Sequence, residues 1–209
     1  MGSYFNSEIK KIISKFQNFD NTELEYHFSF KNLEKFMFEK ILNDLNKNHS
    51  FYSIEQQVNI LYEDPKEQYG TYRVTKQFKD GVNLNDDIII LKKSSNKSLN
   101  FKSDVENILG LSLHLNQEQP KKEIPLTAKI VMITIKLRIS FNINQLPDWR
   151  YDLDLIKEIQ MENNNLKEYK NKILFPITIN NYLNKVPYNH IDKVSLEIEY
   201  IGDRNKLSV

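Results

Sequence analysis

Two stretches set the reading of this chain: Thr22-Glu23-Leu24-Glu25-Tyr26-His27-Phe28-Ser29-Phe30 near the start and Val194-Ser195-Leu196-Glu197-Ile198-Glu199-Tyr200-Ile201 near the end. Both alternate polar and apolar residues, the period of a half-buried β-strand. Side chains of a strand alternate between faces, so Glu23 and Glu25 share one face, as do Glu197 and Glu199. Leu24 and Ile198 point the other way. If the two strands lie near each other, their four carboxylates converge on one surface. Like charges at such range do not all stay ionised without a cation. An oxygen-rich site of this kind suits Mg²⁺ or Mn²⁺.

Before the first of these strands, Ile9, Ile12, Ile13 and Phe16 have the spacing of an amphipathic helix over Ser7–Phe16. Asn32 is placed to cap a second helix running to Asn46. Strands are expected over 51–62, 71–78, 87–93, 108–116, 129–142, 149–160 and 194–201. Pro65 to Gly70, Lys79-Asp80-Gly81 and Leu146-Pro147-Asp148 read as turns, and 94–100 and 117–125 as loops. Residues 176–183 fit no single template. No internal repeat or composition shift marks a boundary. The expectation is a single α+β domain built on a large antiparallel sheet or barrel.

The polar faces carry the chemistry. Over 131–141 the apolar face is Val131, Ile133, Ile135, Leu137, Ile139 and Phe141, opposite Thr134, Lys136, Arg138 and Ser140. Over 149–155 Trp149, Tyr151, Leu153 and Leu155 oppose Arg150, Asp152 and Asp154. Further polar faces are Thr71, Arg73 and Thr75, and Ser112, His114 and Asn116. A sheet with one wet face alternates in this way without any function. Here, however, acids cluster on the first and last strands and bases on the middle ones. A closed barrel with that face inward makes a charged tunnel, one part suited to a metal and the other to a polyphosphate. A triphosphate carries about four negative charges, and Arg and Lys donors are needed to hold it out of bulk water.

Composition narrows the field. The 209 residues suffice for one sizeable domain, and 29 basic against 28 acidic residues give a net charge of +1. There is no cysteine, which excludes disulfides, thiolate zinc and a cysteine nucleophile, and fits a reducing, intracellular compartment. No apolar run reaches the roughly 18 residues of a membrane span, and no signal peptide is expected at the start. The four histidines lack zinc-site spacing, and Gly70, Gly81 and Gly110 stand alone, so no phosphate-cradling glycine loop is present. Abundant Asn and Lys, as in Asn163-Asn164-Asn165, reflect coding bias, since apolar periodicity continues through them. Lys121-Lys122 read as solvated loop charges, and Trp149, Tyr151 and Tyr200 as core residues rather than base-stacking platforms.

These residues together resemble the triphosphate tunnel metalloenzymes, specifically the metal-dependent RNA 5′-triphosphatases of the fungal and large-DNA-virus type. The resemblance runs from Glu23 to Glu199. It is carried by Glu23-Leu24-Glu25, Ser195-Leu196-Glu197-Ile198-Glu199, Lys136-Leu137-Arg138, Arg150-Tyr151-Asp152, and Arg73 with Lys92. It implies an eight-stranded antiparallel β-barrel with a charged interior and helices packed outside. It implies Glu23, Glu25 and Glu199 as ligands of Mg²⁺ or Mn²⁺, with Glu197 supporting them. It implies Arg73, Lys92, Lys136, Arg138 and Arg150 as phosphate-binding residues and Asp152 as a residue that positions one of those bases.

The activity implied is removal of the γ-phosphate from 5′-triphosphate RNA, the first step of mRNA capping, with nucleoside triphosphate hydrolysis beside it. The resemblance also implies a domain of a longer capping enzyme, with guanylyltransferase and methyltransferase domains in the same chain, and a viral factory or virion as its location. Three positions depart from the family pattern. His27 stands where a basic residue often follows the first glutamates, and Ser195 where the last strand tends to have a third acid. The water-activating carboxylate is open between the Asn116 position and Glu118. Lys93 rivals Lys92, since a one-residue slip exchanges which of them faces inward. Two other functions remain: a tripolyphosphatase of the same fold, and a non-catalytic barrel binding anions or a partner protein.

Overall fold

The computed structural model describes residues 2–30, 35–66, 71–79, 82–83, 89–102, 108–160 and 193–207. In chain order the elements are α1 (Gly2–Asn18), β1 (Thr22–Phe30), α2 (Lys35–Asn48), β2 (Ser50–Glu63), β3 (Thr71–Lys79), β4 (Val82–Asn83), β5 (Ile89–Lys102), β6 (Ile108–Pro120), β7 (Lys129–Asn142), β8 (Trp149–Gln160) and β9 (Lys193–Tyr200). A short 3-10 turn at Arg204–Lys206 follows. The Asn32 cap, the tip of the Lys79-Asp80-Gly81 turn and the 176–183 stretch lie outside the described residues.

The strands pair in the order β2-β7-β8-β9-β1-β6-β5-β3, and β3 returns to β2, closing an eight-stranded barrel with the short β4 added at β3. Every pairing is antiparallel. Closure leaves no open edge among these eight strands, and it fixes two surfaces: one polar and inward, one apolar and outward.

The apolar face is covered by the helices. Phe38 and Leu45 of α2 pack on Leu137, Ile139, Phe141, Leu153, Leu155 and Leu196. Ile12 and Phe16 of α1 pack on Leu24, Leu113, Leu115 and Tyr200. Trp149 lies against Tyr200 with ring centroids 5.1 Å apart, which places both in this outer layer. Asn21, with φ 56°, makes the sharp turn from α1 into β1, a conformation Asn tolerates better than most residues. Arg204 closes the C-terminal end of α1: its guanidinium stacks on Phe16 at 4.9 Å and donates to the Phe19 carbonyl at 2.6 Å. No helix among the described residues is long and apolar enough to cross a membrane.

One expected loop and the first part of another are strand instead. Residues 94–100 belong to β5, with a register shift between Ser95 and Lys97, and Gln117 to Pro120 belong to β6. Their composition is polar, yet Ser94 pairs with Gln117 and Ser98 with His114. Here the backbone ladder overrides side-chain propensity, as is usual for strands. The helix expected to stop at Asn46 runs two residues on, to Asn48.

Phe38 has no exposure and ties α2 to the barrel. Phe38→Ala is expected to cost about 3–5 kcal/mol, read as a lower midpoint in urea unfolding with an unchanged β-sheet circular dichroism signal.

Candidate active site

Strand parity and register bring the polar faces together. On the β1–β9 pair Glu25 lies opposite Glu199 and His27 opposite Glu197. On the β8–β9 pair Arg150 lies opposite Glu199 and Asp152 opposite Glu197. Arg138 of β7 is flanked by Asp154 of β8 and Glu55 of β2. Lys93 of β5 faces Glu118 of β6 and Thr71 of β3. The result is a cavity of about 350 Å³ along the bore, with a lining that includes Glu23, Glu25, His27, Arg73, Lys93, Glu118, Lys136, Arg138, Arg150, Glu197 and Glu199.

The bases are fixed by acids behind them. Asp152 and Asp154 are wholly buried. Arg138 donates through Nε and Nη2 to the two Asp154 oxygens at 2.8 and 2.9 Å, approaches Asp152 at 3.0 Å, and donates to Glu197 at 2.9 Å. Lys136 donates to Asp154 at 2.8 Å. Arg150 forks onto Asp152 at 2.8 and 2.9 Å and reaches Glu199 at 2.5 Å. Burial alone would raise the Asp154 carboxyl, but the Lys136 and Arg138 charges reverse that and bring it down to about 2. Both guanidiniums are pushed further above their usual range by the same carboxylates, against the opposing effect of burial.

The acidic wall is uneven. Burial pushes Glu199 up to about 7 despite Arg150, with Asp152 and Glu23 adding to the rise. Glu23 is raised for the same first reason. Glu25 goes the opposite way, to about 2, because His27, Lys93 and Arg138 outweigh its burial. Asn116 is buried and donates to Glu25 Oε1. His27 Nε2 sits 2.9 Å from Glu25 Oε1 and Nδ1 sits 3.6 Å from Glu197 Oε1. Nε2 is shielded from solvent and forms an ion pair with Glu25. Glu25, His27 and Glu197 form a set whose donor atoms lie within 4.8 Å of one another. Two carboxylates and an imidazole are a donor set that fits a divalent cation. Glu23 and Glu199 flank that set, engaged by Lys93 at 3.4 Å and Arg150 at 2.5 Å.

Nine of the ten residues singled out from sequence are brought to the tunnel wall or directly behind it, Asp152 being the one behind. Lys92 is the correction. Its ammonium stacks 5.6 Å from the centroid of the outward Tyr72 ring, and Lys93 takes the inward place. The reason is register: Lys93 pairs with Thr71 and Lys92 with Tyr72, and Arg73 shares Thr71's face. Glu118 lies in the cavity, held by Arg73 at 2.8 Å and Lys93 at 3.3 Å, whereas Asn116 is committed to Glu25. Asp154, Glu55 and His27 also belong to the site. Asp154 and His27 already stood on polar faces in the sequence, and the alternation of β2 was the signal that would have added Glu55.

The closed barrel with this inward charge is the triphosphate-tunnel fold. The chain is similar to the solved RNA triphosphatase domain of the trifunctional Mimivirus mRNA capping enzyme, at 21% identity over 94% of this chain and 88% of that one, with a TM-score of 0.58. It is also similar to the Schizosaccharomyces pombe Pct1 RNA triphosphatase, at 13% identity over 91% and 77% of the two chains, with a TM-score of 0.56. No protein-family model and no curated protein matches the sequence.

The raised carboxyls make the metal-free protein sensitive to alkali. A folded-state value above the unfolded one means that protons stabilise the fold, and this stability is lost as pH rises through the folded value. For Glu199 the window runs from 4.5 to about 7. Glu23 and the raised His27 act in the same direction, and the lowered His114 opposes them. Thermal unfolding of the metal-free protein is therefore expected at lower temperature at about pH 8 than at about pH 5.5. Glu199→Gln is expected to flatten that slope. A midpoint that rises with pH in the wild type would contradict the assignment.

Proposed function

We propose that this chain is a metal-dependent RNA 5′-triphosphatase. It hydrolyses the γ-phosphate of 5′-triphosphate RNA, leaving a 5′-diphosphate end and orthophosphate, the first step of mRNA capping. Free nucleoside triphosphates are hydrolysed as a side activity, because a cavity lined by charged and polar side chains suits the triphosphate more than the base. The observation that carries the reading is the division of the tunnel wall. Glu23, Glu25, Glu197 and Glu199 occupy β1 and β9, and Arg73, Lys93, Lys136, Arg138 and Arg150 occupy β3, β5, β7 and β8. Its fold is that of solved structures described as RNA triphosphatases.

On this reading Glu23, Glu25 and Glu199 hold Mg²⁺ or Mn²⁺ with Glu197 beside them. A bound divalent ion supplies positive charge next to the γ-phosphoryl oxygens, where charge accumulates in the transition state. Lys136, Arg138 and Arg150 present fixed donors to the phosphates. Each is anchored by a buried aspartate, so little reorganisation is needed as the reaction proceeds. An ammonium has three donors and Asp154 takes one of Lys136's, leaving capacity for a phosphate oxygen. Glu118, held by Arg73 and Lys93, orients the attacking water and accepts its proton. Arg150 exchanges part of its pairing with Glu199 for the substrate. The 5′-diphosphate product is the acceptor required by a guanylyltransferase, which is the expected next activity in the same pathway.

Phosphate release from γ-labelled triphosphate RNA tests this, with Mg²⁺, with Mn²⁺ and with EDTA. Release of the γ-phosphate alone, lost with EDTA and in Glu25→Ala and Glu199→Ala, is expected. Lys93→Ala is expected to lose at least about tenfold in kcat/KM, or about 1.4 kcal/mol, and Lys92→Ala to stay within about twofold of wild type. Preference for inorganic tripolyphosphate over RNA would instead mark a small-triphosphate hydrolase. No release with either metal would make the barrel a binding module.

A further inference from the structure

We infer that His27 is a nitrogen ligand of the tunnel's metal ion, which makes the site a mixed nitrogen and oxygen site with a preference for Mn²⁺ or Co²⁺ over Mg²⁺. The inference rests on the reading above, since it concerns the same ion. Strand alternation puts His27 on the wall with Glu23 and Glu25, and the β1–β9 register sets it directly opposite Glu197. Its ring therefore stands between two carboxylates, 2.9 Å from Glu25 and 3.6 Å from Glu197. Donors on one first-row ion, each about 2.0–2.2 Å away, lie within roughly 4.4 Å of one another. The present set lies within 4.8 Å, so closing on an ion takes a small side-chain adjustment and no strand movement.

The second observation is the state of the imidazole. Nε2 is shielded from water and faces Glu25 Oε1 at 2.9 Å, so an ion entering between them takes the place of the proton the two groups share. The surroundings hold the donor set in place. Asn116 donates to Glu25, Ser195 to Glu197 Oε1 at 3.2 Å, and Arg138 to Glu197 Oε2 at 2.9 Å. The His114 ring lies 4.5 Å from His27 and is itself held by Ser112 at 2.7 Å. Imidazole favours the later first-row ions, whereas carboxylate and water ligands suit both Mg²⁺ and Mn²⁺. A lysine or arginine at this position keeps its proton and offers no lone pair, whereas an imidazole offers one once its proton is displaced.

The test is pulsed electron paramagnetic resonance on the whole chain loaded with Mn²⁺, with calorimetric titration of Mn²⁺ and Mg²⁺ alongside. Directly coupled ¹⁴N modulation is expected in the wild type and in His114→Ala. It is expected to vanish in His27→Ala and His27→Lys while Mn²⁺ remains bound through the carboxylates. The ratio of Mn²⁺ to Mg²⁺ affinity is expected to fall at least about tenfold in both His27 variants. Mn²⁺ bound to the wild type without nitrogen coupling would overturn the inference and leave the proposed function standing. So would an unchanged affinity ratio in His27→Lys, which would make His27 a cation only. A wild type that binds neither ion would overturn both.

Discussion

Two aspartates with no access to water organise this barrel. Asp152 and Asp154 sit on β8 among strands whose outward faces are packed with Leu and Ile, and neither carboxylate has an escape to solvent. A buried anion is tolerable only when paired and hydrogen-bonded. Arg138, Arg150, Lys136 and Ser140 provide that pairing. The constraint works in both directions, because the aspartates fix the bases at the points where they project into the bore. A tunnel lined by cations on unsupported flexible side chains would collapse onto its own acids or swing toward water. Here the cations are anchored from behind, and the cavity stays open at about 350 Å³.

From that network the remaining features follow. Arg138 extends from the aspartates to Glu197, and Arg150 to Glu199, so the basic strands are joined to the acidic pair of β1 and β9 by the same side chains. Burial pushes Glu199 of the acidic wall up to about 7, and Asp152 and Glu23 add to the rise. A divalent cation bound there would offset that cost, which would tie ion binding to stability as well as to chemistry. The described residues of the helices do not line the cavity. They cover the outer face with Phe38, Ile12 and Phe16, and so let a sheet whose inward face is charged retain a hydrophobic core.

Much of this was legible in the chain because a strand's alternation states which residues share a face. The parity of Glu23 and Glu25, of Lys136 and Arg138, and of Glu197 and Glu199 is a property of the backbone alone, and closure turns it into one wall. What alternation does not state is register. Lys92 and Lys93 are adjacent, either one satisfies the pattern, and the choice was made by pairing Lys93 with Thr71. Residues 94–100 and 117–120 are polar enough to read as loops, and only their mutual pairing makes them strand. Asp154 was visible on a polar face, but its role depends on two partners on β7, eighteen and sixteen residues away. His27 was visible as a departure from a family pattern, and its place between two carboxylates required the β1–β9 register.

The central claim is that one tunnel divides its labour, with an ion on the acidic wall and phosphates on the basic ones. The most direct measurement is a crystal structure of the chain with Mn²⁺ and tripolyphosphate, with the manganese located by anomalous scattering. The account predicts the anomalous peak among Glu25 and its carboxylate neighbours on β1 and β9, and the phosphates within hydrogen-bond distance of Lys136, Arg138 and Arg150. Phosphates on the outer surface, or manganese away from the β1–β9 carboxylates, would contradict it.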